Sequence, residues 1–192
     1  ESEGGVIILD KNLFKQEDTK IEPFFLPNNE KAVCMAFCGN MIIALSTNCK
    51  VFELSVLGDG TFTPFKEIKE LVGKEIIGVN GTFAHCFAVS GNGKVYGRGS
   101  NEHGRLGMGP KLKTIEKFEE ITPLKKHKII AAYAGLTHSL FQTVEGKLLS
   151  CGTNAFGELM LSSGPSHDKQ YYPVETSFTN VSYCIAGAAK SA

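Results

Sequence analysis

Two histidines, His85 and His138, recur 53 residues apart. A pair of imidazoles can supply acid–base chemistry or two metal ligands. Repetition argues against both, because a site is seldom copied into successive units. The third equivalent position holds Lys190, which rules out metal binding there. Both histidines read as structural residues that bridge the backbones of neighbouring units. Cys34 and Cys38 stand four apart, with no second pair at zinc-ligand spacing. Gly97-Arg98-Gly99 begins like a dinucleotide fingerprint, but the next glycine is Gly104, so the spacing fails. Gly91-Asn92-Gly93-Lys94 reads as a turn and not a phosphate loop. Spacing alone identifies no Ser–His–acid triad and no carboxylate pair. The sequence therefore predicts no catalytic residue, no cofactor site and no metal site.

Charge narrows the partners. Lys+Arg 20 against Asp+Glu 20 gives no net charge, which makes nucleic acid an unlikely partner for the chain as a whole. Lys125-Lys126-His127-Lys128 is the one basic cluster and reads as a solvated loop, with contact to an acidic partner surface or phosphate as the alternative. Glu116, Glu119 and Glu120 with Lys111, Lys113 and Lys117 read as a solvated connector. No apolar run is long enough to span a bilayer, and the acidic start ESEGGVIILD is no secretory signal. The six cysteines follow no disulfide-scaffold spacing and read as free thiols in a reducing compartment. The expected location is intracellular, cytoplasmic or nuclear. Asn80-Gly81-Thr82 and Asn180-Val181-Ser182 match a glycosylation sequon that is common by chance.

The elements that position these residues are short strands. Ile76–Met108 and Ile129–Leu161 align without a gap. Ile76/Ile129, Ile77/Ile130, His85/His138, Gly93/Gly146, Lys94/Lys147, Gly99/Gly152, Asn101/Asn154, Gly104/Gly157 and Leu106/Leu159 are identical. A fixed period of this length marks one supersecondary unit used several times. Inside each unit the pattern has period two. His85 to Ser90 is a strand, Gly91-Asn92-Gly93 a turn, and Lys94 to Gly97 the returning strand. His138 to Thr143, Val144-Glu145-Gly146 and Lys147 to Ser150 repeat it. Gly stands where a three-residue hairpin needs positive φ. Ile76–Val79 and Ile129–Ala132 read as strands buried on both faces.

Weaker copies flank these. Met41 to Ser46 with Lys50-Val51-Phe52 is a degenerate hairpin whose glycine position holds Cys49. Val181 to Gly187, continuing to Lys190-Ser191, begins another unit. Val6-Ile7-Ile8-Leu9 resembles the returning strand of an earlier one. Pro23-Phe24-Phe25, Pro64 to Ile68 and Pro173-Val174 read as lead-ins to their units, as does Phe118 to Ile121 without the proline. The repeats are placed at 1–19 (tail of a blade), 20–60 (degenerate), 61–110, 111–165 and 166–192 (incomplete). Short antiparallel strands in such units predict an all-β propeller of roughly 50-residue, four-stranded blades.

The pattern Gly-x-x-His-Ser, hairpin, Gly-x-Asn-x-x-Gly-x-Leu resembles the repeat of the regulator of chromosome condensation family. Gly135-Leu136-Thr137-His138-Ser139 with Gly152-Thr153-Asn154-Ala155-Phe156-Gly157-Glu158-Leu159 carries it best. His85 with Gly99 to Gly107 is the second copy. The resemblance covers 76–192 well and 20–75 loosely. It implies a seven-bladed ring, of which this chain holds about half. The expectation is a partial propeller completed by a second chain or segment, with a closed four-bladed ring as the alternative. The glycines Gly93, Gly99, Gly104, Gly146, Gly152 and Gly157 are expected to be backbone-geometry residues.

Family likeness implies two uses of the fold. One is binding a small Ras-like GTPase as a guanine-nucleotide exchange factor, with no reaction chemistry in the propeller. The other is a scaffold or targeting module inside a larger protein, in a ubiquitin ligase, kinase or trafficking context. In both the partner is a protein held by loops at one face of the ring. The expected contacts are loop residues that differ between copies: Arg98, Glu102, His103 and Arg105 in one, Ala155, Phe156 and Glu158 in the other.

Overall fold

A computed structural model describes residues 7–10, 21–161 and 168–187. Strand β1 (Ile7–Asp10) pairs antiparallel with β2 (Ile21–Phe24). Three four-stranded antiparallel sheets follow, each a simple meander. The first blade is β3 (Ala32–Cys38), β4 (Met41–Ser46), β5 (Val51–Ser55) and β6 (Lys66–Glu67). The second is β7 (Ile76–Gly81), β8 (His85–Ser90), β9 (Val95–Ser100) and β10 (Thr114–Glu120). The third is β11 (Ile129–Ala134), β12 (His138–Thr143), β13 (Leu148–Thr153) and β14 (Lys169–Glu175). No described helix is long and apolar enough to cross a membrane.

The period-two pattern works on both sides of each sheet. Every residue of β8 is buried. Phe87 and Val89 point to one side and join Ile129, Phe141, Leu149 and Cys151 in a core shared with the third blade. Cys86 and Ala88 point to the other side and join Cys38, Ile43, Leu45 and Val51 in a core shared with the first. The second blade thus has an apolar face toward each neighbour, so its burial is complete only when blades stack, whereas one face of the first blade packs with Leu26 and Phe65. The second and third blades also share polar links along their inner strands. The Ala134 amide donates to Asn80 Oδ1 at 2.7 Å.

The hairpin turns follow their residues. Gly93 and Gly146 adopt φ of 87° and 75°. Cys49 takes the same place in the first blade at φ 58°, a conformation that costs a side-chain-bearing residue. Ser46, Ser90 and Thr143 amides donate to Lys50, Lys94 and Lys147 carbonyls, each at 2.9 Å. The three hairpins therefore share one register, and the first blade is a true copy despite its divergent sequence.

Two sequence readings change here. The segments read as lead-ins to a following unit are outer strands of the preceding one. Lys66-Glu67 pairs with β5, Thr114–Glu120 with β9, and Lys169–Glu175 with β13. The sequence marks them as extended pieces with prolines that an edge strand tolerates, and the ladder partners assign each to the preceding blade. Glu116, Lys117 and Glu119 are accordingly exposed on β10, where charge discourages pairing with another chain. Second, the cysteines are not all free. Cys38 at the end of β3 and Cys86 on β8 form a disulfide across 48 residues, with Cα atoms 5.3 Å apart. Stacking of blades brought together two residues with no sequence relationship. Cys34, Cys49, Cys151 and Cys184 remain thiols. In the last unit, Cys184 packs with Leu140 and Leu148. Lys190 lies outside the described residues.

Gly99 shows what the repeated glycines do. Its φ is 108°, and a Cβ there would run into the Ala84 carbonyl and the His85 backbone. Gly152 repeats this at φ 109° against Thr137 and His138. Gly99→Ala is expected to cost about 2–3 kcal/mol through a disallowed backbone conformation and a close backbone contact. Urea unfolding measures it as a lower midpoint at unchanged slope.

Candidate protein-interaction face

A meander places alternate connections at opposite ends of its sheet. The β7–β8 turn (82–84) and the β9–β10 loop (101–113) share one end with the β11–β12 turn (135–137) and the β13–β14 loop. The ends of neighbouring blades adjoin, since the Gly39 amide donates to the Thr82 carbonyl at 3.4 Å and Thr82 Oγ1 to the Gly135 carbonyl at 3.4 Å. These loops form one face. The Lys125–Lys128 cluster belongs to the opposite end, beside the Gly93 and Gly146 turns.

Beneath this face lies a polar layer sealed from solvent. His85, His138 and Ser139 are each 0% exposed. His85 Nε2 lies 2.7 Å from Ser139 Oγ, and Ser139 Oγ donates to the Arg105 carbonyl at 2.6 Å. Ser139 spends its only proton on that carbonyl, so it accepts from His85, and the imidazole proton sits on Nε2. His85 Nδ1 is buried with no hydrogen-bond partner. The contact has the length of a nucleophile–base pair, yet no carboxylate orients the imidazole and no substrate can reach the serine. It is a bridge between blades. Burial, with the positive Arg105 and His138 nearby, lowers the His85 pKa to about 3. Burial also lowers that of His138, against the pull of Glu158.

The residues expected to contact a partner divide in two. Glu102 has a 67% exposed side chain, His103 is exposed at φ 60°, and Phe156 is 79% exposed. All three sit at loop tips, and His103 and Phe156 occupy the same repeat position. Arg105 and Glu158 face inward instead, 7% and 3% exposed. Arg105 Nε donates to the Glu102 carbonyl at 3.0 Å and Nη1 to the Leu136 carbonyl at 3.1 Å, tying a second-blade loop to a third-blade turn. Glu158 Oε2 accepts the Phe156 amide at 2.8 Å. Both follow the left-handed Gly104 and Gly157, which turn the chain back under the loop toward the buried Leu106 and Leu159. Variation between copies was therefore a poor guide to exposure. Arg98 lies lower, on β9, ion-paired with Glu53 of the first blade and 6.0 Å from the Phe118 ring.

The sequence reading missed Phe83 and Leu136. They share one repeat position at the tips of the β7–β8 and β11–β12 turns, 69% and 47% exposed. Phe37, 44% exposed, stacks on Phe83 with ring centroids 5.5 Å apart. The available signal was a bulky apolar residue inside a turn, in both copies, with no periodic reason to be buried. With Phe156 these residues give the face apolar tips over a buried polar layer.

Residues 92–142 match the regulator of chromosome condensation (RCC1) repeat. The X-linked retinitis pigmentosa GTPase regulator of Canis lupus familiaris is 35% identical over 96 residues, 50% of this chain and 9% of that protein. The human E3 ubiquitin-protein ligase HERC2 is 27% identical over 184 residues, 86% of this chain and 4% of that protein. The chain thus spans a small part of the relatives that it matches. Among solved structures, human WBSCR16 superimposes with a TM-score of 0.76 at 17% identity, over 97% of this chain and 52% of that one. Prp20p of Saccharomyces cerevisiae, reported with its binding properties to Gsp1p and histones, gives 0.67 at 20% identity, over 88% and 44%. The fold is that of a β-propeller, one stretch of it matches the regulator of chromosome condensation repeat, and this chain covers about half of the neighbouring chains.

Proposed function

We propose that this partial propeller of regulator of chromosome condensation repeats is a non-catalytic protein-interaction module that binds a small Ras-like GTPase in the manner of an exchange factor. One observation carries the reading. The acid–base groups beneath the loop face are buried as links between blades, while its tips present Phe83, Leu136 and Phe156 to solvent. A surface with apolar anchors above buried acid–base links suits recognition of another protein. Likeness to a GTPase regulator supports the partner class, and an intracellular location, cytoplasmic or nuclear, goes with it.

A second segment or chain would complete the ring. The reading is supported by the neighbouring chains, of which this chain covers 52% and 44%. The scaffold reading retains support from the match to a ubiquitin ligase over 86% of this chain.

The test is equilibrium binding and nucleotide release with a panel of nucleotide-depleted small GTPases. Binding of one member, with F83S/L136S/F156S weakening it on the order of tenfold or more, is the expected result. A folded chain that binds none, alone or in its full-length protein, favours the scaffold.

A further inference from the structure

The shared hairpin register aligns Met41, His85 and His138 as first residues of β4, β8 and β12, and Ile42, Cys86 and Ser139 as second residues. Between the second and third blades, this layer is joined by His85 Nε2 and Ser139 Oγ at 2.7 Å. Between the first and second blades that pair cannot form. Met41 has replaced the histidine, and Cys86 stands in the serine position. Cys86 is instead bonded to Cys38, at the end of the first blade's inner strand. One structural position thus joins successive blades twice, by a hydrogen bond in one junction and by a sulfur–sulfur bond in the other.

The rest of the junction bears on how that bond behaves. Cys38 and Cys86 are 1% and 0% exposed. A cleft of about 510 Å³ opens between the first two blades, lined among others by Cys38, Met41, Glu53 and Arg98. Cys38 therefore forms part of its wall, and Cys86 does not. The polar links between the first blade and the second include the Glu53–Arg98 and Glu70–Lys117 ion pairs and the Gly39 amide to the Thr82 carbonyl.

We propose that the Cys38–Cys86 bond is a thiol-responsive latch that holds the first blade onto the second in place of the His–Ser pair. A small external thiolate such as glutathione enters the cleft and attacks Cys38 Sγ. The bond to Cys86 breaks, and Cys86 leaves as a thiolate that takes up a proton. A second glutathione thiolate then attacks the glutathione sulfur of the mixed disulfide and frees Cys38. Two glutathione molecules are oxidised to their disulfide while the two cysteines are reduced to thiols. Glutathione disulfide reverses the sequence and closes the latch. The reduced first blade keeps its own meander and the apolar core that it shares with the second, but loses the covalent tie, so it opens more readily than the other two blades.

The test equilibrates the 192-residue chain in glutathione buffers from oxidised to reduced, with acid quench, alkylation and peptide mass spectrometry. Amide hydrogen exchange is followed in the same samples. A Cys38–Cys86 linked peptide in oxidised samples is expected, both cysteines becoming alkylatable together on reduction. Exchange in β3–β6 then rises about tenfold, while β11–β13 stays unchanged. Cys86→Ser installs the third blade's residue and is expected to fix the reduced behaviour in oxidising buffer. M41H/C86S rebuilds the His–Ser pair and is expected to restore protection that ignores glutathione. Reduction of the wild-type chain supplies the same comparison should C86S fail to fold. Absence of the linked peptide at every ratio, or equal exchange in the two states, overturns the proposal.

Discussion

Phe141→Ala is expected to destabilise the chain by about 3–5 kcal/mol, the range for emptying a buried aromatic site. Phe141 on β12 is 0% exposed and meets Phe87 on β8 edge-on, with centroids 5.2 Å apart. This contact joins two blades and not two strands of one sheet. Neither blade can close over the vacancy alone, because the backbones of both are fixed by their own ladders. Loss of the T-shaped pair adds to the lost burial. A lower thermal midpoint reports the effect. Hydrogen exchange locates it, since β8 and β12 should lose protection together while β5, in the first blade, keeps more of its own. The conservative Phe141→Leu should cost markedly less.

Acid is the second large effect. In the unfolded chain His85 takes up a proton near its ordinary pKa of about 6.5. In the folded chain burial holds the value to about 3. The unfolded state therefore binds more protons as the pH falls through this window. Stability is fully present above about 6.5 and is lost progressively toward 3, with a slope near 1.4 kcal/mol per pH unit from this group. The total is on the order of 5 kcal/mol, and His138 contributes in the same direction. The hydrogen bonding gives the same sign independently. A charged His85 would carry a second proton on Nδ1, which faces no acceptor. His85→Gln keeps a polar group but removes the titration. Its denaturant midpoint should fall less steeply than the wild type between pH 6.5 and 4. Equal slopes for the two proteins would show that other groups govern the acid transition.

Strand placement was legible because the physics is local. Alternation along His85–Ser90 and the glycines at positive φ specify a hairpin through contacts only a few residues apart. Their recurrence 53 residues later made the array visible. Even the degenerate hairpin kept its geometry, with Cys49 carrying the left-handed turn at φ 58°. Which sheet owned a segment was not legible. Pro64, Phe118 and Pro173 look alike whether an extended piece closes one blade or opens the next, and only the ladder partners decide. The candidate face was read in part. Glu102, His103 and Phe156 were placed at loop tips, but Arg105 and Glu158 were hidden by the left-handed glycine preceding each. Phe83 and Leu136 went unremarked because an apolar residue in a turn has no periodicity to mark it.

The sequence by itself determined the repeat, its strands and turns, and the family that it resembles. These rest on backbone conformation and period-two burial, which each segment carries within itself. Only the tertiary structure decided the relations between blades. It set His85 against Ser139, joined Cys38 to Cys86 across 48 residues, turned Arg105 inward to Leu136, and gathered separate loop tips into one face. Such pairings depend on how two rigid sheets stack, and stacking is fixed by the summed packing of both faces, which no single segment encodes.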